Sequence, residues 1–210
     1  MTSLLYKDWS IIKKTRALYF SVLYFSLIMP SFQNMDFFGK SFLANFYYIF
    51  IIYLLFSYLT AYDYKYNSDN FIPAFPVTKK QIVAARYVFV ALTFAACLVL
   101  QSVVRIVILV LKGQDINIMN VMDYGQAAIL ILVFSLYFGI VLPLYYKLGY
   151  QKLRLLMIGE AVISGTVSSV LSEVGLDMNR PLVMLFAVII SAVIYYFSFT
   201  ISVNIYKNGN

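Results

Sequence analysis

The chain has 210 residues, of which 62% are hydrophobic and 12% are charged. A soluble domain is about 45–50% apolar and about 25% charged, because a globule of this size must cover its surface with polar groups. The composition therefore excludes a soluble enzyme. It also excludes an intrinsically disordered chain, which requires low hydrophobicity and high charge. An integral membrane protein is the class that remains.

The residue types present restrict the chemistry further. The sequence has no histidine and a single cysteine, Cys97, which excludes His-based acid–base chemistry, His metal sites and an intrachain disulfide. The net charge of +7 would suit a nucleic-acid partner, but the basic residues lie between apolar runs. We therefore expect no nucleic-acid partner and no metal site, and we interpret the basic residues as determinants of membrane topology.

Apolar runs long enough to cross a bilayer as helices recur six times. Continuously apolar stretches such as residues 127–133 favour helices over the alternating strands of a membrane β-barrel. The expected fold is an all-α integral membrane protein, a single transmembrane domain over residues 1–210. The six predicted spans are Ala17–Gln33, Ser41–Tyr62, Val83–Leu111, Tyr124–Tyr146, Leu155–Ser172 and Pro181–Tyr206.

The distribution of Lys and Arg predicts the orientation. Twelve of them fall at the two termini and in the connections between spans two and three and between spans four and five, and three fall on the other side. Basic residues accumulate in cytoplasmic loops. We therefore expect both termini in the cytoplasm and a multi-pass protein of the plasma membrane.

Residues 1–16 form the predicted N-terminal interfacial helix. Leu4, Leu5, Trp9 and Ile12 lie close to one face at helical spacing, while the lysines fall largely elsewhere. Such a helix can lie in the headgroup layer of the membrane. Two interpretations stay open: a simple anchor for the first span, or an elbow helix that also contacts a cytoplasmic partner.

The one substantial connection, residues 63–82, carries apolar side chains beside two prolines. Exposed apolar clusters mark contact sites, although a loop folded back onto the bilayer surface would have the same composition. Ser68, Asp69 or Asn70 can cap a short helix here. Further along, Thr78 with Gln81 forms a predicted capping box that fixes the start of span three.

Residues 76–83 (PVTKKQIV) resemble an element of small ABC-2-type ABC transporter permeases: proline, a small apolar residue, Ser or Thr, two basic residues and Gln-Ile-Val. In those permeases the element ends a short cytoplasmic helix and begins span three. The start of the chain, residues 4–9 (LLYKDW), the Tyr62-Asp63 pair and the Asn70-Phe71 stretch resemble the same family. The six predicted spans and cytoplasmic ends agree with it.

This resemblance implies partners. Two permease subunits pair as a homodimer or heterodimer, and each docks a separate ABC ATPase through a short cytoplasmic coupling helix between spans two and three. ATP and Mg²⁺ would bind on that ATPase, since this sequence has no G-x-x-x-x-G-K-[ST] phosphate loop. The chain is therefore expected to be a transport subunit and not an enzyme. The implied ATPase-docking residues are Asp69, Asn70, Phe71, Ile72, Phe75 and Pro76.

The resemblance also implies a direction of transport. The chain is similar to permeases of Gram-positive peptide exporters, including exporters of amphipathic phenol-soluble modulins, so we expect alternating access that moves an amphipathic or hydrophobic cargo out of the cell. The alternative is a stand-alone carrier, channel or scaffold without an ATPase. A carrier would usually contain more buried ionisable groups or broken helices.

Four polar residues within or beside the predicted spans are candidates for a pathway: Arg86, Gln101, Arg105 and Glu160. Intramembrane charges are costly and tend to be paired or functional. The depths of the residues favour an Arg86–Glu160 contact, with a pathway, water-exposed or dimer-facing Glu160 as alternatives. Gln101 and Arg105 share one helix face and either make interhelical contacts or line an exit path. Pro143 predicts a kink in span four.

Overall fold

The computed structural model describes residues 2–14, 40–66, 77–111, 113, 124–173 and 181–208. All regular structure in these ranges is α-helical, as the sequence predicts. We number the helices α1 (Thr2–Lys14), α2 (Lys40–Lys65), α3 (Lys79–Leu111), α4 (Tyr124–Glu173) and α5 (Pro181–Asn208).

Three stretches among the described residues are long and apolar enough to cross a membrane, by length and composition: Lys79–Leu100, Ala127–Met157 and Leu182–Asn208. The second stretch includes a chain reversal at Gly149. The three stretches agree with an all-α membrane protein. Predicted span two corresponds to α2, whereas predicted span one lies outside the described residues. The count of six spans therefore stays a prediction.

Helix α4 covers both predicted spans four and five, and it folds back on itself. The Tyr137 hydroxyl donates a hydrogen bond to the Met157 carbonyl oxygen over 3.2 Å, although the two residues are 20 positions apart. In one straight helix they would lie about 30 Å apart. The segments before and after residue 149 therefore pack side by side as a helical hairpin.

Gly149 makes this reversal possible. Its torsion angles, φ 72° and ψ 172°, are the only non-helical ones within α4 and belong to a region that is essentially restricted to glycine. Pro143, where the sequence predicts a kink, lies inside the helix. The break in α4 is at the glycine, which tolerates a positive φ, and it lies in the predicted connection between spans four and five; the kink at Pro143 stays a prediction.

The core lies where α2, α3 and α4 meet. Phe56 of α2 packs edge-on against Phe138 of α4, with ring centroids 5.9 Å apart, and Phe94 of α3 stacks on Phe134 of α4 at 4.1 Å. Helix α5 packs mainly on α4 and also contacts α3. It leaves a broad apolar face exposed, which includes Leu182, Phe186 and Phe197.

We predict that Gly149→Ala lowers the free energy of unfolding by about 1–3 kcal/mol, because an L side chain is strained at these torsion angles. Thermal unfolding in mild detergent measures the change. Gly159→Ala is the matched control in the same helix, since a Cβ there meets nothing within 4 Å and alanine favours a helix over glycine. Equal stability of the two variants would contradict the assigned role of Gly149.

Candidate functional site

The start of α3 is fixed by the predicted capping box. The Thr78 backbone N–H donates to Gln81 Oε1 at 2.9 Å, and the Gln81 N–H donates back to Thr78 Oγ1 at 3.3 Å. The reciprocal bonds satisfy two backbone donors that a helix N-terminus leaves unpaired, and they confirm this prediction. Residues 69–76, the predicted docking residues, lie outside the described residues.

A buried charge cluster joins α1, α2 and α3. Arg86, in the third turn of α3, donates from Nη1 to Asp8 Oδ2 of α1 at 3.2 Å and from Nη2 to Asp63 Oδ2 of α2. Lys7 Nζ donates to the other oxygen of Asp63 at 2.9 Å. Lys7 Nζ also lies 3.6 Å from Asp8 Oδ1. Two cations and two carboxylates therefore compensate one another inside the protein.

The local sequence explains why the four groups meet. Asp8, Ile11 and Ile12 follow helical spacing on one face of α1, and all three are buried against the body of the protein. Asp63 lies in the last turn of α2, so it meets Arg86 near the beginning of α3. Arg86 is 7% exposed, Asp8 is 3% exposed and Asp63 is 4% exposed. Charged side chains that are this deeply buried require partners of opposite charge.

The two carboxyl groups have opposite pKa shifts. Burial raises the pKa of Asp8, and the attraction of Arg86 and Lys7 does not compensate fully. Burial acts in the same direction at Asp63, but Arg86, Lys7 and their hydrogen bonds outweigh it and lower the pKa of this carboxyl. The hydrogen bonding agrees with this difference, because Asp8 Oδ1 has no hydrogen-bond partner within the described part of the chain.

These shifts have opposite consequences for stability. The Asp63 carboxylate stabilises the folded protein above its ordinary pKa of 3.8, and this contribution is lost as the pH falls through the lowered pKa. Ionised Asp8 costs stability, since its pKa is raised, and acidification through that pKa removes the cost. Asp63 is therefore the carboxylate that stabilises the cluster at neutral pH.

Of the four predicted pathway residues, the structure describes the side chain of Arg86. Its described partners are Asp8 and Asp63. The side chains of Glu160, Gln101 and Arg105 lie outside the described residues, so the contact proposed for Glu160 stays a prediction. The sequence did not indicate that Asp8 and Asp63 pair with Arg86. A carboxylate on the apolar face of α1 was the available signal for Asp8.

A second polar contact joins α3 to α5. The Tyr87 hydroxyl lies 2.6 Å from Ser198 Oγ and 2.8 Å from Ser202 Oγ. Tyr195 donates its hydroxyl hydrogen to the Tyr87 carbonyl oxygen at 2.8 Å. Tyr87, Ser198 and Ser202 are buried. Adjacent residues of α3, Arg86 and Tyr87, therefore connect it to different neighbours: Arg86 to α1 and α2, and Tyr87 to α5.

A cleft of about 290 Å³ adjoins the charge cluster. Residues of α1, of the first turns of α3, of the Gly149 turn and of the end of α5 line it. Its polar lining includes Lys7, Asp8 and Arg86 of the cluster, together with Gln151 and Lys152. The described residues contain no group of three or more His, Cys, Asp or Glu side chains that could hold a metal ion.

The family of the chain follows from comparison with known proteins. Residues 3–207 match the family described as ABC-2 family transporter protein. No curated protein and no solved structure matches the chain significantly. The match covers nearly the whole chain, so the protein belongs to the ABC-2 transporter family. It is a membrane subunit of the permease type in an ABC exporter, and such subunits transport rather than catalyse. Permeases of this family normally work with a separate ABC ATPase subunit as their partner.

We predict that Arg86→Met lowers the free energy of unfolding by about 3–5 kcal/mol, because it leaves buried carboxylates without their main cation. Thermal unfolding in mild detergent measures the loss. Lys80→Met is the matched control, since Lys80 is an exposed cation on the same helix.

A triple variant isolates the cause. Asp8→Asn and Asp63→Asn, combined with Arg86→Met, remove all three buried charges and should recover most of the lost stability. If Arg86→Met is as stable as Lys80→Met, the cluster does not hold the helices together. If the triple variant recovers nothing, the loss comes from packing and not from unpaired charge.

Proposed function

We propose that this chain is the permease subunit of an ATP-driven exporter that moves an amphipathic or hydrophobic cargo, such as a peptide, out of the cell by alternating access. Two permease subunits form the pathway, as a homodimer or heterodimer. Each docks a separate ABC ATPase, which binds ATP and Mg²⁺. In this proposal the protein lies in the plasma membrane with both termini in the cytoplasm, as the distribution of Lys and Arg predicts.

The observation that carries the proposal is the place of the docking segment between two joined helices. Helix α2 ends at Lys65 and α3 begins at Lys79, so residues 66–78 connect them. Asp63 lies just before this connection and is paired with Arg86 just after it. A displacement of residues 69–76 by an ATPase would therefore act on both helices at once, and through Asp8 on α1.

The same contacts support a specific transmission of movement. The charge cluster makes α1, α2 and α3 one unit on the cytoplasmic side. Tyr87 passes the movement of α3 to α5 through Ser198 and Ser202. The capping box keeps α3 helical up to the docking segment, so a push at the segment moves the helix rather than unwinding its first turn.

The apolar surface supports the choice of cargo. The exposed face of α5 carries large apolar side chains, including Leu185, Ile189 and Phe197. A cargo that partitions into the bilayer can approach such a surface from the lipid, whereas a hydrophilic solute needs a polar channel. An amphipathic peptide is therefore the cargo class to test first.

The test is to purify the tagged chain in mild detergent from its native host and to assay ATP hydrolysis. We expect a stoichiometric ATP-binding subunit whose hydrolysis is stimulated by amphipathic peptides. A clean preparation without an ATPase would contradict the proposal and favour a stand-alone carrier, channel or scaffold.

The docking residues have a separate test. We predict that Phe71→Asp with Phe75→Asp abolishes ATPase co-purification and transport while membrane insertion is retained, because charged side chains cannot pack into an apolar partner surface. Phe71→Leu with Phe75→Leu is the matched control, which keeps the apolar surface and should keep coupling. Normal transport by the Asp variant would rule out docking through these residues.

A further inference from the structure

The cleft beside the charge cluster has the position of a lipid-headgroup site. Its lining comes from the ends of helices: Leu4 on α1, Ile82 in the first turn of α3, the turn around Gly149 and Tyr206 near the end of α5. In the orientation proposed above, all of these lie at the cytoplasmic surface of the membrane. The cleft is therefore at the depth of the phospholipid headgroups of the inner leaflet.

The volume limits what the cleft can hold. At about 290 Å³ it is at the lower end of the range for small-molecule sites, about 300–1,000 Å³. A helical peptide is about 10–12 Å across with its side chains and does not fit in such a space. A single phospholipid headgroup does.

The uncompensated cation at the cleft is Lys152, while Asp8 Oδ1 keeps no hydrogen-bond partner within the described part of the chain. Lys7, Asp8, Asp63 and Arg86 compensate one another, so they add little net charge to the site. Lys152 also lines the cleft, and it is exposed. Residues 147–154 (KLGYQKLR) contain three cations and no carboxylate. Basic pockets between transmembrane helices on the cytoplasmic side bind anionic headgroups.

Hydrogen-bond donors and an apolar rim complete the site. Gln151 Nε2 donates to the Tyr64 hydroxyl, and both side chains line the cleft. Tyr145, Tyr146 and Tyr206 also line the cleft. Leu4, Ile82 and Leu148 supply apolar walls, against which the glycerol and the first acyl carbons of a lipid can pack.

We propose that this cleft binds the phosphate diester headgroup of an anionic phospholipid from the inner leaflet, with Lys152 as its main cationic contact. Lys7 and Asp8 of α1 form one wall, so an occupied cleft holds α1 against the Gly149 turn. Lipid binding then stabilises the packed position of α1. The inference uses the proposed orientation but not the cargo or the ATPase.

The single tryptophan, Trp9, is a built-in probe for the test. It lies on α1 next to Asp8 and is exposed. The purified full chain is reconstituted in bilayers of phosphatidylcholine and phosphatidylglycerol, with one of the two lipids brominated in its acyl chains. Quenching of Trp9 fluorescence then gives the relative association constant of the two lipids. Phosphatidylglycerol is the probe, because it is a phosphate diester with one negative charge.

We expect the wild-type chain to prefer phosphatidylglycerol, and Lys152→Gln to lose most of that preference, because it removes the main cationic contact of the cleft. Lys147→Gln is the matched control, since Lys147 is an exposed cation of the same turn that does not line the cleft. It should keep the wild-type preference. Equal reductions in the two variants would overturn the proposal in favour of diffuse surface attraction.

Inorganic phosphate and glycerol 3-phosphate separate a lipid from a soluble anion. We expect neither to change the Trp9 quenching by brominated phosphatidylglycerol, because neither carries acyl chains for the apolar walls. Displacement of the lipid by millimolar inorganic phosphate would overturn the lipid assignment. Absence of any preference in the wild-type chain would overturn the site itself. None of these readouts depends on transport, so the result stands apart from that of the ATPase assay.

Discussion

The structure depends on the requirement that Arg86 be paired inside the protein. A guanidinium with 7% exposure is stable there only when carboxylates meet it at hydrogen-bond distance. Asp8 and Asp63 do so from two other helices. The pairing therefore determines how α1 and α2 are seated on α3: a shift of either helix by one residue would leave a charge buried without its partner. Apolar contacts such as those of Ile11 and Ile12 add area but allow more than one register.

This constraint joins the two helices between which the predicted docking segment lies. The segment begins after Asp63 and ends before a capped helix that contains Arg86. In the proposed mechanism, a force on the segment would act on the joined unit of α1, α2 and α3. The next residue of α3, Tyr87, connects this unit to α5 through two buried serines. In the proposed mechanism, this turn of α3 would receive the movement of α1 and α2 and transmit it to α5. An anionic lipid in the adjoining cleft would strengthen the seat of α1 in the same unit.

Helix positions and the start of α3 could be predicted from sequence because both depend on local signals. The apolar runs that form the helices are visible in the sequence. The side chains of Thr78 and Gln81 pair with each other's backbone N–H groups, so this cap depends on residues three positions apart. The partners of Arg86 could not be predicted, because Asp8 is 78 residues away along the chain and nothing local favours it over Glu160. The reversal between predicted spans four and five was expected within residues 147–154, and the structure confirms it at Gly149. The non-helical torsion falls at Gly149, because glycine adopts a positive φ without strain, while the kink at Pro143 stays a prediction. The docking residues 69–76 remain a prediction from the family resemblance.

Because the Arg86–Asp8 ion pair joins α3 to α1, we expect the two helices to move as one unit during the transport cycle. Double electron–electron resonance between spin labels at residues 13 and 80 tests it directly. Lys13 and Lys80 are exposed, and Cys97 is the single cysteine to replace, so Lys13→Cys and Lys80→Cys are introduced in a Cys97→Ser background. The labelled chain is measured in the assembled transporter with and without ATP. The account predicts that the distance between residues 13 and 80 within one subunit is constant, while the distance between the two labels at position 80 of paired permeases changes. A change of the first distance as large as the second would contradict it.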